Sequence, residues 1–248
     1  MSLRNKRIVV TGGSRGLGLG LVEALVARGA HVTVVALLES VRARLGVATI
    51  SADVTDETAA RRIVDDIRPD ILVLNAGATP RMVRLDQMSW ADFTATWETD
   101  VKAGLYWLQA ALNLPLKPGS RVLVGSSGAA VNGSPLSGGY AGAKHMLRLM
   151  ARYADGIAKE KGVGIRFQAI LPMQIIDRTG VGDEASSAYA RSMGLDREAY
   201  LARFGAPLPP RQFGEHVVAV LDDPQYATGV VFGLKGDTGI TALEGEAA

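Results

Sequence analysis

Tyr140 and Lys144 stand four residues apart in the run Tyr-Ala-Gly-Ala-Lys. The apolar period of residues 140–159 predicts a helix, in which this spacing places both side chains on one face. A phenol releases its proton only near pH ~10, but a neighbouring ammonium favours the phenolate. The pair therefore predicts that Tyr140 acts as a general acid or base. Taken alone, the same spacing also fits an ordinary surface pair on a helix.

Two serines, Ser126 and Ser127, directly follow the apolar run 121–125, which predicts a buried strand. In a parallel sheet covered by helices, ligands bind at the carboxyl ends of the strands. A serine hydroxyl at that edge can hydrogen-bond a substrate oxygen. Serines after a strand also form ordinary turns, so this position alone leaves both interpretations open.

A glycine-rich turn, residues 11–18 (Thr-Gly-Gly-Ser-Arg-Gly-Leu-Gly), separates the β-branched run 8–10 from a helical pattern. Gly12, Gly16 and Gly18 allow a sharp bend and a close approach to main-chain N–H groups, and the helix N-terminus adds a favourable dipole. The turn thus predicts a cradle for a phosphate group. Its spacing, Gly-x-x-x-Gly-x-Gly, matches neither the usual dinucleotide fingerprint nor a P-loop, so a purely structural turn stays open.

Strand and helix patterns alternate along the whole chain, and the strands are apolar without a clear period of two. This order predicts a doubly wound, Rossmann-type parallel sheet of about seven strands with helices on both faces. One domain, residues 1–248, is expected. The predicted strands are 8–10, 31–36, 47–51, 71–74, 121–125, 165–171 and 230–234, and the predicted helices are 17–28, 39–45, 55–67, 89–112, 140–159 and 215–221.

The composition narrows the function further. Of the 248 residues 48% are hydrophobic, 27 are Lys or Arg and 25 are Asp or Glu, so a net charge of +2 gives no electrostatic basis for nucleic-acid binding. The chain has no cysteine, and His31, His145 and His216 lack the spacing of metal ligands, so no metal is expected. No apolar run is long enough to cross a membrane, and the cytoplasm is the expected compartment.

Five motifs suited to ligand binding or catalysis lie at one edge of the predicted sheet, where the strands end. On these motifs the sequence resembles the short-chain dehydrogenase/reductase family over nearly its whole length. Ser127 stands thirteen positions before Tyr140, as in that family. The matching residues are the glycine turn 11–18, Asp53-Val54, Asn75-Ala76-Gly77, Ser127 and Tyr140-Ala-Gly-Ala-Lys144.

The resemblance implies an NAD(P)(H)-dependent oxidoreductase that interconverts a carbonyl compound and an alcohol. Tyr140 would be the general acid or base, Ser127 would orient the substrate oxygen, and Lys144 would support the tyrosine and hold the nicotinamide ribose. A homodimer or homotetramer that pairs the helices 97–112 and 140–159 is also implied. The expected cofactor-binding residues are Gly12, Ser14, Arg15, Gly16, Leu17, Gly18, Asp53, Val54, Asn75, Ala76, Gly77, Tyr140, Lys144, Pro172 and Ile175.

Three positions depart from the family pattern. Asp100 stands where the family usually has an asparagine that completes a water-linked relay to the lysine, and we retain it as a catalytic candidate with an altered relay. Met173 replaces the glycine that usually follows Pro172. Asp177 occupies the spacing of the threonine expected near the cofactor, with Thr179 two residues further on.

NADP is the expected cofactor, with NAD as the alternative. An acidic residue at the end of the second strand would select NAD by binding the ribose 2′-hydroxyl, but Ala36 stands there. Arg15 in the glycine turn is suited to pair with a 2′-phosphate. Glu39 lies close enough in sequence to reach the same site, and Arg15 also fits an ordinary exposed side chain.

The segment 173–210 is expected to form a lid over a small or medium carbonyl substrate. Its apolar residues also fit a plain helix core. The rival function is a non-catalytic dinucleotide-binding regulator or sensor that keeps the fold but has diverged at Asp100, Met173 and Asp177. The apolar residues assigned to the lid are Ile175, Ile176, Met193, Leu195, Tyr200, Leu201 and Phe204.

Overall fold

The computed structural model describes residues 2–37, 45–114, 116–176 and 178–244. Eight strands form one sheet in the order β3-β2-β1-β4-β5-β6-β7-β8. The first seven run parallel to their neighbours, and β8 runs antiparallel to β7. The strands are β1 Arg7–Thr11, β2 His31–Ala36, β3 Ala48–Ser51, β4 Ile71–Leu74, β5 Arg121–Gly125, β6 Arg166–Pro172, β7 Val231–Lys235 and β8 Gly239–Glu244.

Helices cover both faces of this sheet. A π-helical turn, Trp97–Val101, joins α3 to α4. Within the described residues, no helix is both long and apolar enough to cross a membrane. The α-helices are α1 Gly16–Ala27, α2 Glu57–Ile67, α3 Trp90–Thr96, α4 Lys102–Asn113, α5 Ala129–Asn132, α6 Tyr140–Glu160, α7 Gly180–Ser192, α8 Arg197–Ala202 and α9 Pro210–Asp222.

The predicted doubly wound sheet is confirmed, with every predicted strand present to within about two residues. The eighth strand was not predicted. It lies at the sheet edge and pairs with one neighbour, and its six residues carry only a weak apolar alternation. Residues 39–44 of the predicted helix 39–45 lie outside the described part of the chain.

Alternate residues of the central strands enter two separate cores. Ile8 and Val10 of β1 pack with α1 and α9, whereas Val9 packs with α2, α4 and α6 on the other face. All three are fully buried. This arrangement explains why the strand reads as an unbroken apolar run, since both of its faces are covered.

Close helix packing holds the start of α1 at the carboxyl edge of the sheet. Gly20 of α1 and Gly214 of α9 lie at the contact, where a Cβ on Gly20 would overlap the Pro210 carbonyl oxygen and a Cβ on Gly214 the Gly20 oxygen. Only glycine permits this separation. The contact therefore fixes the direction in which the N-terminus of α1 points.

The helical region predicted for residues 89–112 is present but is not one uniform helix. Ser89 caps α3 by accepting a hydrogen bond from the Asp92 amide, as its position before the helix suggests. The π-helical turn then interrupts the ladder, and π-turns of this kind are frequent at functional sites. It carries Asp100, whose side chain is buried.

We predict opposite effects for alanine at two helical glycines. Gly20→Ala should lower the free energy of unfolding by about 1–3 kcal/mol, because the new methyl group forces α1 away from α9. Gly156→Ala in α6 should raise it by about 0.5–1 kcal/mol, since a Cβ there meets nothing within 4 Å and helix entropy improves. Urea denaturation of both variants measures the difference. Equal stability of Gly20→Ala and the parent would contradict the close α1–α9 contact.

Candidate active site

A cleft of about 760 Å³ lies at the carboxyl ends of the parallel strands. It extends from the ends of β2 and β3, at Ala36 and Asp53, to the start of α6 and the segment after β6. All predicted site residues line it except Asp100, which lies buried behind the wall. The topology thus brings together residues that are more than 120 positions apart in sequence.

The glycine turn forms one wall of this cleft. Gly12 has φ +68° and Gly16 φ +54°, both in the left-handed region. A Cβ on Gly12 would lie 2.7 Å from the Ala76 Cα, and one on Gly18 would overlap the Gly12 carbonyl oxygen. No side chain caps the N-terminus of α1 and no acidic residue lies in its first turn. Its N–H groups and positive dipole end therefore suit an anionic ligand.

Thr11 anchors the turn, a role that the sequence analysis did not assign. Its buried hydroxyl accepts hydrogen bonds from the amides of Asn75 (3.0 Å) and Ala76 (3.2 Å). The Asn75 side-chain amide donates to the Gly12 carbonyl oxygen at 3.2 Å. The segment after β4 lines the cleft as expected and also braces the glycine turn. In the sequence, Thr11 could have been identified by its place at the end of β1, since Asn75 follows the neighbouring strand β4.

Asp53 and Val54 follow β3 and line the same end of the cleft. The exposed Asp53 carboxylate accepts hydrogen bonds from the Thr55 amide and hydroxyl, both at 2.8 Å. These bonds hold the pKa of Asp53 below its ordinary value. The Trp107 indole N–H donates to the Val54 carbonyl oxygen at 3.0 Å, which fixes this loop to α4.

Asp100 and Lys144 form a buried ion pair, with 2.9 Å between the Oδ2 and Nζ atoms. The other carboxylate oxygen accepts a hydrogen bond from the Ala78 amide at 2.8 Å. Burial alone would lower the pKa of Lys144, but the charge of Asp100, with smaller contributions from Tyr140 and the hydrogen bond to Asp100, raises it above its ordinary value. Lys144 is therefore held as the ammonium.

This direct contact differs from the water-linked relay that the resemblance implied for an asparagine. Asp100 touches the lysine without an intervening molecule. The Lys144 Nζ atom lies 5.6 Å from the centroid of the Tyr140 ring. Because the carboxylate is closer to the ammonium than the ring is, it offsets part of the positive field that reaches Tyr140.

The structure separates the two serines after β5. Both serines line the cleft, but Ser126 is buried and donates its hydroxyl to the Lys144 carbonyl oxygen at 2.7 Å, so it braces α6. Ser127 lines the cleft, and its oxygen accepts a hydrogen bond from the Ala129 amide at 3.2 Å. A hydroxyl that accepts in this way keeps its proton for another acceptor. Of the two, Ser127 is the one placed to contact a ligand.

The segment after β6 lines the opposite wall through Pro172, Met173 and Ile175. Thr179 also lines the cleft, but its hydroxyl caps α7 by accepting from the Gly182 amide at 3.1 Å and donates to the Ile176 carbonyl oxygen at 2.8 Å. The expectation for Asp177 lies outside the described residues.

The expected lid residues divide into two groups. Ile175, Ile176, Met193, Tyr200 and Phe204 line the cleft, whereas Leu195 and Leu201 are absent from its lining.

The sequence analysis missed Tyr189, which also lines the cleft. Its hydroxyl lies 2.8 Å from the Ser134 Oγ and accepts from the Leu136 amide at 3.2 Å. Tyr189 stands among small residues of α7 with little apolar period, and its partners are more than 50 positions away. No local pattern points to such a contact.

At the end of β2, Ala36 and the exposed Leu37 line the cleft, together with the exposed Arg15 of the glycine turn. Neither strand-end side chain carries a carboxylate that would bind a ribose 2′-hydroxyl. Glu39, which is close enough in sequence to supply one, lies outside the described residues.

Comparison with known proteins shows the family to which this chain belongs. The family model described as short chain dehydrogenase matches residues 6–189, most of the chain. In three dimensions the chain is similar to a short chain dehydrogenase family protein from Francisella tularensis subsp. tularensis SCHU S4. The TM-score is 0.77 at 21% sequence identity, over 92% of this chain and 95% of that one, which speaks for the fold.

Three proteins of similar sequence are named as oxidoreductases. Oxidoreductase asL5 from Sarocladium schorii is 27% identical over 82% of this chain and 87% of its own. Sorbitol-6-phosphate 2-dehydrogenase from Klebsiella pneumoniae is 28% identical, with 81% and 82% covered. Hydroxynaphthalene reductase arp2 from Aspergillus fumigatus is 28% identical, with 90% and 88% covered.

We predict that Asp100→Asn lowers the free energy of unfolding by on the order of 3 kcal/mol at neutral pH, because it leaves a buried ammonium without its counter-charge. Adding Lys144→Met should recover most of this loss. Asp65→Asn is the matched control, since its ion pair with Arg68 is exposed and should contribute less than about 1 kcal/mol. Urea denaturation measures all four proteins.

The effect of Asp100→Asn should also depend on pH. Because the pKa of Lys144 is raised, the stabilisation is complete below the ordinary lysine pKa of about 10.4 and is lost as the pH rises through the higher folded-state value. Because the unfolded-state pKa is common to both proteins, the difference between parent and variant should be largest near neutral pH and should shrink as the pH rises to and beyond about 10.4, since the unpaired Lys144 of the variant loses its proton first. A difference that grows with pH over that range would contradict the assigned ion pair.

Proposed function

The chain belongs to the short-chain dehydrogenase family, and on that premise we propose that it is an NADP(H)-preferring carbonyl reductase or alcohol dehydrogenase. Membership itself makes it an oxidoreductase that uses a nicotinamide dinucleotide and acts on small molecules. The observation that carries the finer proposal is that one cleft is lined both by the glycine turn and by Ser127, Tyr140 and Lys144.

The residues of the cleft fit a dinucleotide. The glycine turn leaves room that a Cβ would fill, and the uncapped N-terminus of α1 suits a diphosphate. Asp53 and Val54 would hold the adenine end. Lys144 would bind the nicotinamide ribose, and Pro172 and Ile175 would border the nicotinamide. When bound, the cofactor supplies or accepts a hydride at the substrate carbon.

Tyr140 would exchange the proton. In the reductive direction its phenol donates to the carbonyl oxygen, and in the oxidative direction the phenolate accepts the alcohol proton. Ser127 would donate a second hydrogen bond to the same oxygen, which polarises the carbonyl and holds it in place. Both side chains line the cleft from neighbouring elements, the end of β5 and the start of α6.

Lys144 would favour the phenolate through its charge, and Asp100 would keep that lysine protonated and in position. The carboxylate also reduces the positive field at Tyr140. Asp100 would therefore keep the lysine charged and at the same time weaken the effect of that charge on the phenol. We regard Asp100 as a positioning residue that acts through Lys144, because it is buried behind the cleft and does not line it.

We also propose a homodimer or homotetramer that pairs the helices α4 and α6. Large apolar side chains on these helices are exposed in the single chain: Leu105 of α4 by 44%, and Tyr153 and Ile157 of α6 by 56% and 39%. Pairing would cover them.

Tyr140→Phe should lower the turnover of a ketone by about 10²- to 10⁴-fold, because the variant lacks the proton donor. Its affinity for NADPH should remain close to that of the parent. Tyr226→Phe removes a hydroxyl outside the cleft and is the matched control. Steady-state kinetics and fluorescence titration with NADPH measure the two effects. Unchanged turnover in Tyr140→Phe would refute the mechanism, and tight NADPH binding without turnover in the parent would favour the sensor.

Arg15→Ala should weaken NADPH binding by about tenfold or more while changing NADH binding little, since a charge-assisted bond to the 2′-phosphate contributes on the order of 1.5–3 kcal/mol. Arg62→Ala, an exposed arginine of α2 outside the cleft, should change neither. Fluorescence titration with both nucleotides gives the ratio. Equal weakening for NADPH and NADH would remove the basis of the NADP preference.

A further inference from the structure

The end of the cleft beyond Tyr140, here called the substrate end, is rich in aromatic and thioether side chains. The Tyr189 and Tyr200 rings stack with centroids 5.9 Å apart and planes 11° apart, and Phe204 meets Tyr200 edge-on at 5.4 Å. Aromatic faces and polarisable sulfur favour flat apolar ligands. The lining side chains of this kind are Met82, Met173, Tyr189, Met193, Tyr200 and Phe204.

Of the described residues that line the substrate end, none carries a formal charge except Lys144, which is paired with Asp100. Within the described residues, the charged side chains that line the cleft are Arg15, Asp53 and Lys144. Arg15 and Asp53 follow β1 and β3, which lie on one side of β4 in the sheet, whereas α6 comes after β5 on the other side. Lys144 forms a buried ion pair with Asp100. Arg203 contacts the Met193 sulfur at 3.1 Å but is exposed and does not line the cleft. A phosphate or carboxylate in the substrate end would therefore be desolvated without a paired cation.

Several polar groups near the substrate end are already engaged within the protein. The Gln174 amide donates to the Ala206 carbonyl oxygen at 2.8 Å and accepts from the Gly236 amide at 2.9 Å. The Tyr189 hydroxyl is bound to the loop before α6. Besides Ser127 and Tyr140, the exposed Asn132 contributes a polar side chain to the lining of the cleft. A polyhydroxylated substrate would thus find few partners.

Contacts within the protein hold the aromatic wall in place. The two hydrogen bonds of Tyr189 tie α7 to the loop 134–136 and set the orientation of its ring. Tyr200 is 95% buried, and burial raises the pKa of its phenol, so the ring stays neutral at physiological pH. A preformed apolar slot favours a rigid ring over a flexible chain, because less entropy is lost on binding.

We infer that the substrate is a neutral ketone on an aromatic or alicyclic ring, or the matching alcohol. This rests on the proposed function. In the reductive direction the carbonyl carbon gains a hydride as the nicotinamide is oxidised, and the oxygen gains the Tyr140 proton, so atoms and electrons balance. The ring lies against Tyr189, Tyr200 and Phe204, and the carbonyl faces Ser127 and Tyr140.

Matched ketones test the inference on the complete protein with NADPH. The neutral ring ketones are 2-tetralone and acetophenone, 4-acetylbenzoate adds a carboxylate to the same ring, and fructose 6-phosphate is charged and polyhydroxylated. We expect kcat/KM for acetophenone to exceed that for 4-acetylbenzoate by about 100-fold or more. Equal or better use of 4-acetylbenzoate or fructose 6-phosphate would overturn the inference.

A charge placed in the wall gives a second test. Met193 is 48% exposed at the cleft, so substitution there leaves the core intact. Met193→Arg should reduce the preference for acetophenone over 4-acetylbenzoate by about tenfold or more, whereas Met193→Leu should retain it. If both variants keep the preference of the parent, Met193 does not border the bound ring and the inferred site is wrong.

Binding without turnover separates this inference from the proposed reaction. Calorimetric titration of Tyr140→Phe with NADPH bound should detect 2-tetralone and not 4-acetylbenzoate. If the parent is also inactive on every ketone, that result would refute the proposed reaction but retain the inferred recognition of a neutral ring ketone. Turnover of neutral and charged ketones alike would keep the reaction and defeat the substrate class.

Discussion

The ion pair between Asp100 and Lys144 connects the parts of the structure that make up the candidate site. Asp100 lies on the π-helical turn, Lys144 on α6, and the Asp100 carboxylate also binds the Ala78 amide after β4. Neither charge is stable in this buried place without the other. The pair therefore fixes the distance between two helices and a strand end. The position of the Tyr140 ring relative to an ammonium follows from that distance.

Around this pair, the groups proposed to bind the ligand are held in place by other groups of the chain. Thr11 and the Asn75 amide hold the glycine turn, Ser126 holds the backbone of α6, and Thr55 fixes the Asp53 carboxylate. Most of these supports use backbone atoms as partners. Such bonds depend little on the identity of the partner side chain.

Electrostatics divide the cleft into two regions. The end of the cleft at the glycine turn, where we propose that the dinucleotide binds, has a helix N-terminus, an exposed arginine and an ionised aspartate, all suited to a charged and polar ligand. The substrate end has aromatic rings and sulfur atoms, with its tyrosine hydroxyl bound to the opposite loop. A boundary of this kind directs the polar cofactor and an apolar substrate to different places. Tyr140 and Ser127 stand where the two regions meet.

Local patterns in the sequence were enough for the strands, most helices and the motifs at their ends, because alternating apolar runs and glycine turns are determined by neighbouring residues. They also identified Asp100 and Met173 as departures. Only the tertiary structure decided that Asp100 binds Lys144 directly, that Ser126 braces while Ser127 faces the cleft, and that Tyr189 reaches Ser134. These contacts join residues 18 to 55 positions apart, and their geometry depends on how helices pack against the sheet.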